Sequence, residues 1–412
     1  MDQLYAYLPG TSHRKELTPA NIAPVILCYY AHAVMAILPG TFWLRVALLP
    51  VTEWLVWNSA VTLDLAQYLA SMFGLPNALR LSFLNVIFVL LLWAIGLRCF
   101  EWTFIIDKPL RRYELPLDIG KKTCNERPLT IANVLVDGID LLFNFRGLGW
   151  AWSSDPFYVD PSPPLSLLHQ FFKLLVKIAL LDAAHYIATL TIPTAYRLEG
   201  DTIFDYTLDP LPHSLRLLSV SVCSQVIIYS SVDIIFQFCA LTGQVVFGQS
   251  LTQWPRIANR PWLAVSVTEF WGKRWHQFFR HLFVVFGARP GKKVAGWYGS
   301  VMGAYIVSAS MHVVMLWGLG RGTEWIHAGG FFIMLGIATI GERKWEEWTG
   351  KPVTGIFGTL WTSFLHLVGG SGMVDAFVRH GMVANDFVPK QMRIGKVIVD
   401  SILTVVARVR AG

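Results

Sequence analysis

The histidine at position 312 lies in residues 294–319 (VAGWYGSVMGAYIVSASMHVVMLWGL), a run with no Asp, Glu, Lys or Arg. An ionisable side chain in so apolar a stretch is costly unless it faces a cavity or a partner, which makes it a candidate for chemistry. A neutral imidazole in a semi-dry cavity is a usable general base near neutral pH. Upstream, residues 269–283 (EFWGKRWHQFFRHLF) have the opposite texture, basic and aromatic. Taken as one helix, this stretch puts Trp271, Trp275, Phe278, Phe279 and Leu282 on one face. Lys273, His276, Gln277 and Arg280 fall on or beside the other. Lys273 and Arg274 suit phosphate, and Trp271 and Trp275 could cover an adenine or an acyl chain. Together they point to chemistry on an anionic, partly apolar substrate. The competing readings are a core histidine satisfied by a neighbouring helix and an interfacial anchor helix. Ser308 and Ser310 flank His312, and the Ser308 hydroxyl, one turn away, could hold a ring nitrogen. No GxSxG elbow is present to make a serine nucleophile.

These residues must be positioned by membrane helices. The 412-residue chain is 54% hydrophobic and 15% charged, with 17 Trp, whereas charged residues supply roughly a quarter of an ordinary soluble domain. Several uninterrupted apolar runs reach the roughly 20 residues that a spanning helix needs. Candidate spans are residues 22–38, 44–57, 81–97, 165–192, 215–247, 294–319, 325–340 and 353–368. Arg45 and Glu53 weaken the second, and the fifth is long enough to be tilted or broken. The expectation is an all-α polytopic bundle of about eight spans, with amphipathic interfacial helices around a membrane-embedded chamber. Residues 1–412 read as one membrane-embedded domain, with a polar, proline-rich insert at 103–164 and a basic tail at 373–412. The aromatic stretch 141–152 within the insert is expected at the interface.

The net charge of +7 is local. Between Gly248 and Lys293 stand Arg256, Arg260, Lys273, Arg274, Arg280, Arg289, Lys292 and Lys293 against Glu269 alone, so this segment is expected on the cytosolic side. Basic residues threaded among aromatics fit membrane lipids or a phosphorylated cosubstrate and argue against nucleic acid. The five cysteines, Cys28, Cys99, Cys124, Cys223 and Cys239, show no paired spacing, so neither disulfides nor a zinc site is expected. Asp182 and His185, three apart in an apolar run, read as a structural clasp between helices. Asn133, Asp137 and Asp140, with Asp201 and Asp205, loosely resemble the magnesium-binding aspartates of membrane prenyltransferases. The first spacing is wrong by one residue, and no metal is expected.

At FWGKRWHQFF, followed by SASMH, the chain resembles the wax synthase-like branch of the membrane-bound O-acyltransferases. That family carries an aromatic-Trp-x-x-x-Trp-Asn/His motif and then a histidine in a later apolar helix. Phe270, Trp271, Arg274, Trp275 and His276 match the first, and His312 the second. Residues 144–150 (NFRGLGW) resemble the NxRGxGW stretch of fungal members, and Arg98, Glu101 and Trp102 resemble their RxxEW helix end. The resemblance implies transfer of an acyl group from acyl-CoA to a hydroxyl in a membrane chamber, in a multi-pass protein of the endoplasmic reticulum. It makes His312 the base and His276 its polar partner, with Trp271, Lys273, Arg274, Trp275 and Arg146 holding the donor and no bound cofactor. The fungal-looking segment implies acetyl-CoA and a terpenoid or meroterpenoid alcohol; the alternative is a long-chain wax ester. A rival of another class is a transporter relaying protons or ions through Asp182, His185, Asp233 and His312, although no repeat symmetry supports it.

Overall fold

The computed structural model describes residues 14–105, 110–113, 126–152, 166–249 and 253–411. Parts of the 103–164 insert, including Cys124, lie outside the described residues. The chain is an all-α polytopic bundle, and among the described residues the one small sheet is a two-residue parallel pairing of Lys15–Glu16 with Leu63–Asp64. Among the described residues, six helices are long and apolar enough to cross a membrane. They are α1 (Pro19–Ile37), α3 (Phe83–Thr103), α5 (Leu167–Thr191), α6 (Pro210–Phe247), α7 (Arg280–Gly318) and α8 (Trp325–Thr349).

The other two expected spans differ for a physical reason. Helix α2 (Phe42–Thr62) keeps Arg45 and Glu53 inside its length. Arg45 is buried and donates to the carbonyls of Trp102 and Ile105, where α3 ends and leaves its last carbonyls unpaired. Helix α9 (Gly355–Phe364) is short and runs on through a π turn, Leu365–Gly369. Helix α6, by contrast, is one unbroken helix of 38 residues.

The insert contains a 13-residue helix, α4 (Ile131–Phe143), so Asp137 and Asp140 are helical rather than loop residues. Both are occupied by arginines: Arg112 reaches each at 2.9 Å, and Arg127 also binds Asp137. Within the stretch 141–152, Phe143 is exposed. Leu141 and Trp150 are fully buried, and the Trp150 indole donates to Asp140 at 2.8 Å. Asn144 staples the turn by accepting from the Leu148 amide and donating to the Leu148 carbonyl. Gly147 and Gly149 take the positive φ values of 70° and 78° that the turn demands.

The largest departure from expectation is in 267–318. Residues 269–283 do not form one amphipathic surface helix. A helical turn, Val267–Glu269, passes into a π turn, Phe270–Arg274, and the backbone is then extended at Trp275. Side-chain hydrogen bonds from a distant helix and from within the segment hold this shape. Glu342 of α8 accepts from the Val267 and Thr268 amides, and the Gln277 side chain donates to the Trp271 and Trp275 carbonyls. Local periodicity carries no trace of such partners.

Helix α7 is likewise a hairpin rather than a rod. Ala295 and Gly296 leave helical geometry, and the two arms fold back on each other. A side chain added at Gly287 would collide with the Gly303 carbonyl, and one at Gly291 with that of Gly299. Such small residues, four apart on each arm, let two helix backbones touch in a membrane. The first arm, residues 280–294, is only about 22 Å long, short of the roughly 30 Å hydrocarbon core. Exposed Lys292 and Lys293 stand at its tip. There Arg343 lies over Trp297 and Lys344 over Tyr298, next to the Glu342 that caps Val267. Residues 267–279 thus form a hook that starts at the level of the hairpin tip, descends to residues 276–279 and climbs back through the first arm.

Candidate active site

The bottom of this re-entrant loop meets the middle of the returning arm. Phe279 and Met311 share one buried cluster with Leu282, Ala94 and Phe145, which brings the segments that carry His276 and His312 against each other. The sequence-predicted pair therefore comes together.

His312 is held at two points. Its Nδ1 lies 2.8 Å from the Ser308 carbonyl oxygen, and its ring stacks on Phe332 with centroids 3.9 Å apart. A carbonyl can only accept, so Nδ1 carries the proton, and in the neutral ring Nε2 keeps the lone pair. The partner is thus the Ser308 backbone rather than its hydroxyl, because Cα–Cβ geometry aims a helical side chain back at the carbonyl one turn earlier. The Ser310 hydroxyl donates to the Val307 carbonyl and forms no dyad with His312.

Rings continue from this point to His276. Phe332 meets Trp271 at 5.7 Å, Trp271 stacks with His366 at 5.9 Å, and His366 lies 4.1 Å from Phe270. Phe270 stacks on Trp275 at 5.4 Å, and Trp275 adjoins His276 at 5.1 Å. His366, a third histidine, was not legible as part of this site. It repeats the geometry of His312, with Nδ1 2.7 Å from the Thr362 carbonyl. Its only sequence signal is a histidine in an apolar run, and contacts from distant residues supply the rest.

Four polar atoms around this cage are buried without a hydrogen-bond partner: Trp271 Nε1, His276 Nδ1, Gln277 Oε1 and His366 Nε2. Buried polar groups are generally paired, so a cluster of unpaired ones marks a place that a polar ligand or water can complete. Trp275 and His276 also line a narrow cleft, too tight for a water molecule, with Tyr229, Asp233 and Ile257.

The expected donor-binding residues divide. Trp271 and Trp275 line the cage, and Lys273 is exposed at the hook. Arg274 is occupied internally: its Nε lies 2.8 Å from Glu269, and it leans on the Asn259 and Arg260 carbonyls. Burial alone would raise the Glu269 carboxyl, but the Val265 amide and Arg274 outweigh it and hold the group below the usual carboxylate range. Arg146 donates to the Pro255 carbonyl at 2.8 Å and so ties the glycine turn to the strand of chain that enters the hook. Both arginines shape the hook.

Asp182 and His185 stand apart from the site. Asp182 accepts from Arg393 at 2.7 Å and from the Lys396 amide at 2.8 Å, and His185 pairs with the Val383 carbonyl at 2.8 Å. They tie α5 to the C-terminal segments, as a clasp would.

The chain is 28% identical over 195 residues to a long-chain-alcohol O-fatty-acyltransferase of Simmondsia chinensis, covering 44% of this chain and 52% of that protein. It is 23% identical over 186 residues to a probable long-chain-alcohol O-fatty-acyltransferase 3 of Arabidopsis thaliana, covering 39% of this chain and 52% of that protein. The chain thus spans about half the length of the curated relatives it matches. Residues 254–334, which hold the hook, the hairpin, His312 and Phe332, match the membrane bound O-acyl transferase family.

Proposed function

We propose that this protein is an acyl-CoA-dependent O-acyltransferase that esterifies a hydroxyl of a lipophilic alcohol, with His312 as general base. The observation that carries this reading is the Nδ1 contact of His312 with the Ser308 carbonyl, which leaves Nε2 as the proton acceptor. The alcohol gives its proton to Nε2 as its oxygen attacks the thioester carbonyl. The carbon–sulfur bond breaks, and the proton passes from the imidazolium to the departing thiolate. A thiolate leaves readily, so one well-placed base suffices. His276 acts as a polar partner, and a cage of aromatic rings limits hydrolysis of the thioester. The membrane is that of the endoplasmic reticulum.

Two donor classes have support. The fungal-looking NFRGLGW turn favours acetyl-CoA and a terpenoid or meroterpenoid alcohol. The two relatives, long-chain-alcohol O-fatty-acyltransferases by name, favour a fatty-acyl donor and a long-chain alcohol. One assay separates them: microsomes bearing the protein, radiolabelled acetyl-CoA or palmitoyl-CoA, and a panel of terpenoid and long-chain alcohols. Acetyl ester formed in preference selects the first reading, and palmitoyl ester the second. No ester from either donor would set the acyl-transfer reading aside.

A further inference from the structure

Helix α5 carries two lysines inside its apolar length, Lys173 and Lys177. Lys177 stands ten residues from Leu167, about 15 Å along the helix axis, close to the middle of a roughly 30 Å hydrocarbon core. A cation at that depth is expensive and is found facing a partner or a polar cavity. Both lysines face Asp233 of α6, whose side chain is 9% exposed, with Nζ–Oδ2 separations of 3.6 Å for Lys173 and 3.5 Å for Lys177. These are ion pairs longer than an ordinary hydrogen bond, and Asp233 Oδ2 is buried with no hydrogen-bond partner. Lys177 also lies 3.8 Å from the centre of the Tyr229 ring. Tyr229 and Asp233 line the same narrow cleft as Trp275 and His276.

Two ammonium groups against one carboxylate leave one net positive charge beside this cleft. The arrangement belongs to a longer polar track. Gln170, Lys173 and Lys177 share one face of α5 by their spacing of three and four. Gln237 and Gln244 of α6 bond to Gln170 at 2.9 and 3.1 Å. The track runs from the Leu167 end of α5 inward to the cleft. Lys173 is 35% exposed at its outer part, and Lys177 is 12% exposed further in. Arg274 and Arg146 already serve internal contacts.

We infer that Lys173 and Lys177, with Asp233 as counter-charge, form a phosphate subsite that takes the anionic end of the acyl-CoA donor and aims its thioester at His276. This rests on the acyl-transfer reading for the identity of the donor, whereas the binding measurement stands apart from turnover.

The test is calorimetric titration of CoA into the purified full chain in phosphatidylcholine nanodiscs. Lys173→Gln is the first variant, because its partly exposed side chain can be changed without stranding a buried charge. Lys177→Met combined with Asp233→Asn is the second, because it removes the inner cation and its counter-charge together. Each should weaken CoA binding roughly 10-fold or more, the usual scale for a lost hydrogen bond to a charged group. Wild-type binding should also weaken as salt rises. CoA affinity unchanged in both variants, or no CoA binding by the wild type, would overturn the subsite. So would loss of short-chain phosphatidic acid binding with CoA affinity intact, which would assign the lysines to a lipid headgroup. Wild-type CoA binding without ester from any alcohol would instead count against the acyl-transfer reading.

Discussion

The Nδ1 of His312 lies 2.8 Å from the carbonyl oxygen of Ser308, so the ring's proton is committed to the backbone and Nε2 is the atom left for chemistry. The stack on Phe332 sets the plane of the ring. A base fixed in tautomer and plane needs only its substrate hydroxyl brought to one side, and the re-entrant hook ending at His276 defines that side.

His276 is expected to tune the site rather than carry the proton. His276→Ala should lower ester formation less than loss of His312 does. His276→Asn should keep activity, because an amide still offers a polar contact. Turnover per folded molecule in microsomes checks this. An inactive, correctly inserted His276→Asn enzyme would mean that the imidazole itself takes part.

The hairpin should depend on its glycines. Gly303→Leu places a side chain where the backbone of Gly287 runs, and overpacking of this kind costs about 1–3 kcal/mol. Lower yield and a lower melting temperature are expected, measured by fluorescence-detected size exclusion of the detergent-solubilised protein. Unchanged yield and melting would show that the two arms do not pack as described.

Asp182→Ala should act on folding. It leaves Arg393 and the Lys396 amide without their acceptor, and stranding one partner of a buried pair typically costs about 3–5 kcal/mol. Protein yield should fall while turnover per folded molecule holds. Normal yield with lost turnover would move Asp182 from the clasp into the chemistry and favour the proton-relay reading.

The hairpin tip should face the cytosol. Arg289, Lys292 and Lys293 gather there with Arg343 and Lys344, and such cations favour the cytosolic side. A protease-cleavable tag inserted between Lys293 and Trp297 should be cut in intact microsomes. A tag protected until the membrane is opened would reverse the orientation and close the donor's route.

Much of this fold is legible in the chain, because length and apolarity alone specify spanning helices such as α1, α3 and α5. His312 stands out for the same reason, as one polar group in a long apolar run. The hook is not legible. Its residues satisfy a helical period of 3.6, yet the chain takes π and extended geometry, with Glu342 of a distant helix holding the Val267 and Thr268 amides. The hairpin leaves a signal in Gly287 and Gly291 set against Gly299 and Gly303, but nothing local says that the arms meet. Lys173 and Lys177 are visible as a pair four apart. Their meaning depends on Asp233, which a different helix supplies.

The most direct test is ester formation by His312→Ala, assayed with acetyl-CoA and palmitoyl-CoA against wild type at equal amounts of inserted protein. Loss of the base should lower the rate roughly 10²–10⁴-fold, the usual worth of general acid–base catalysis. Expression, insertion and CoA binding should remain. A His312→Ala protein that forms ester at the wild-type rate would contradict the assignment of the base, and with it the mechanism built on the Ser308 contact.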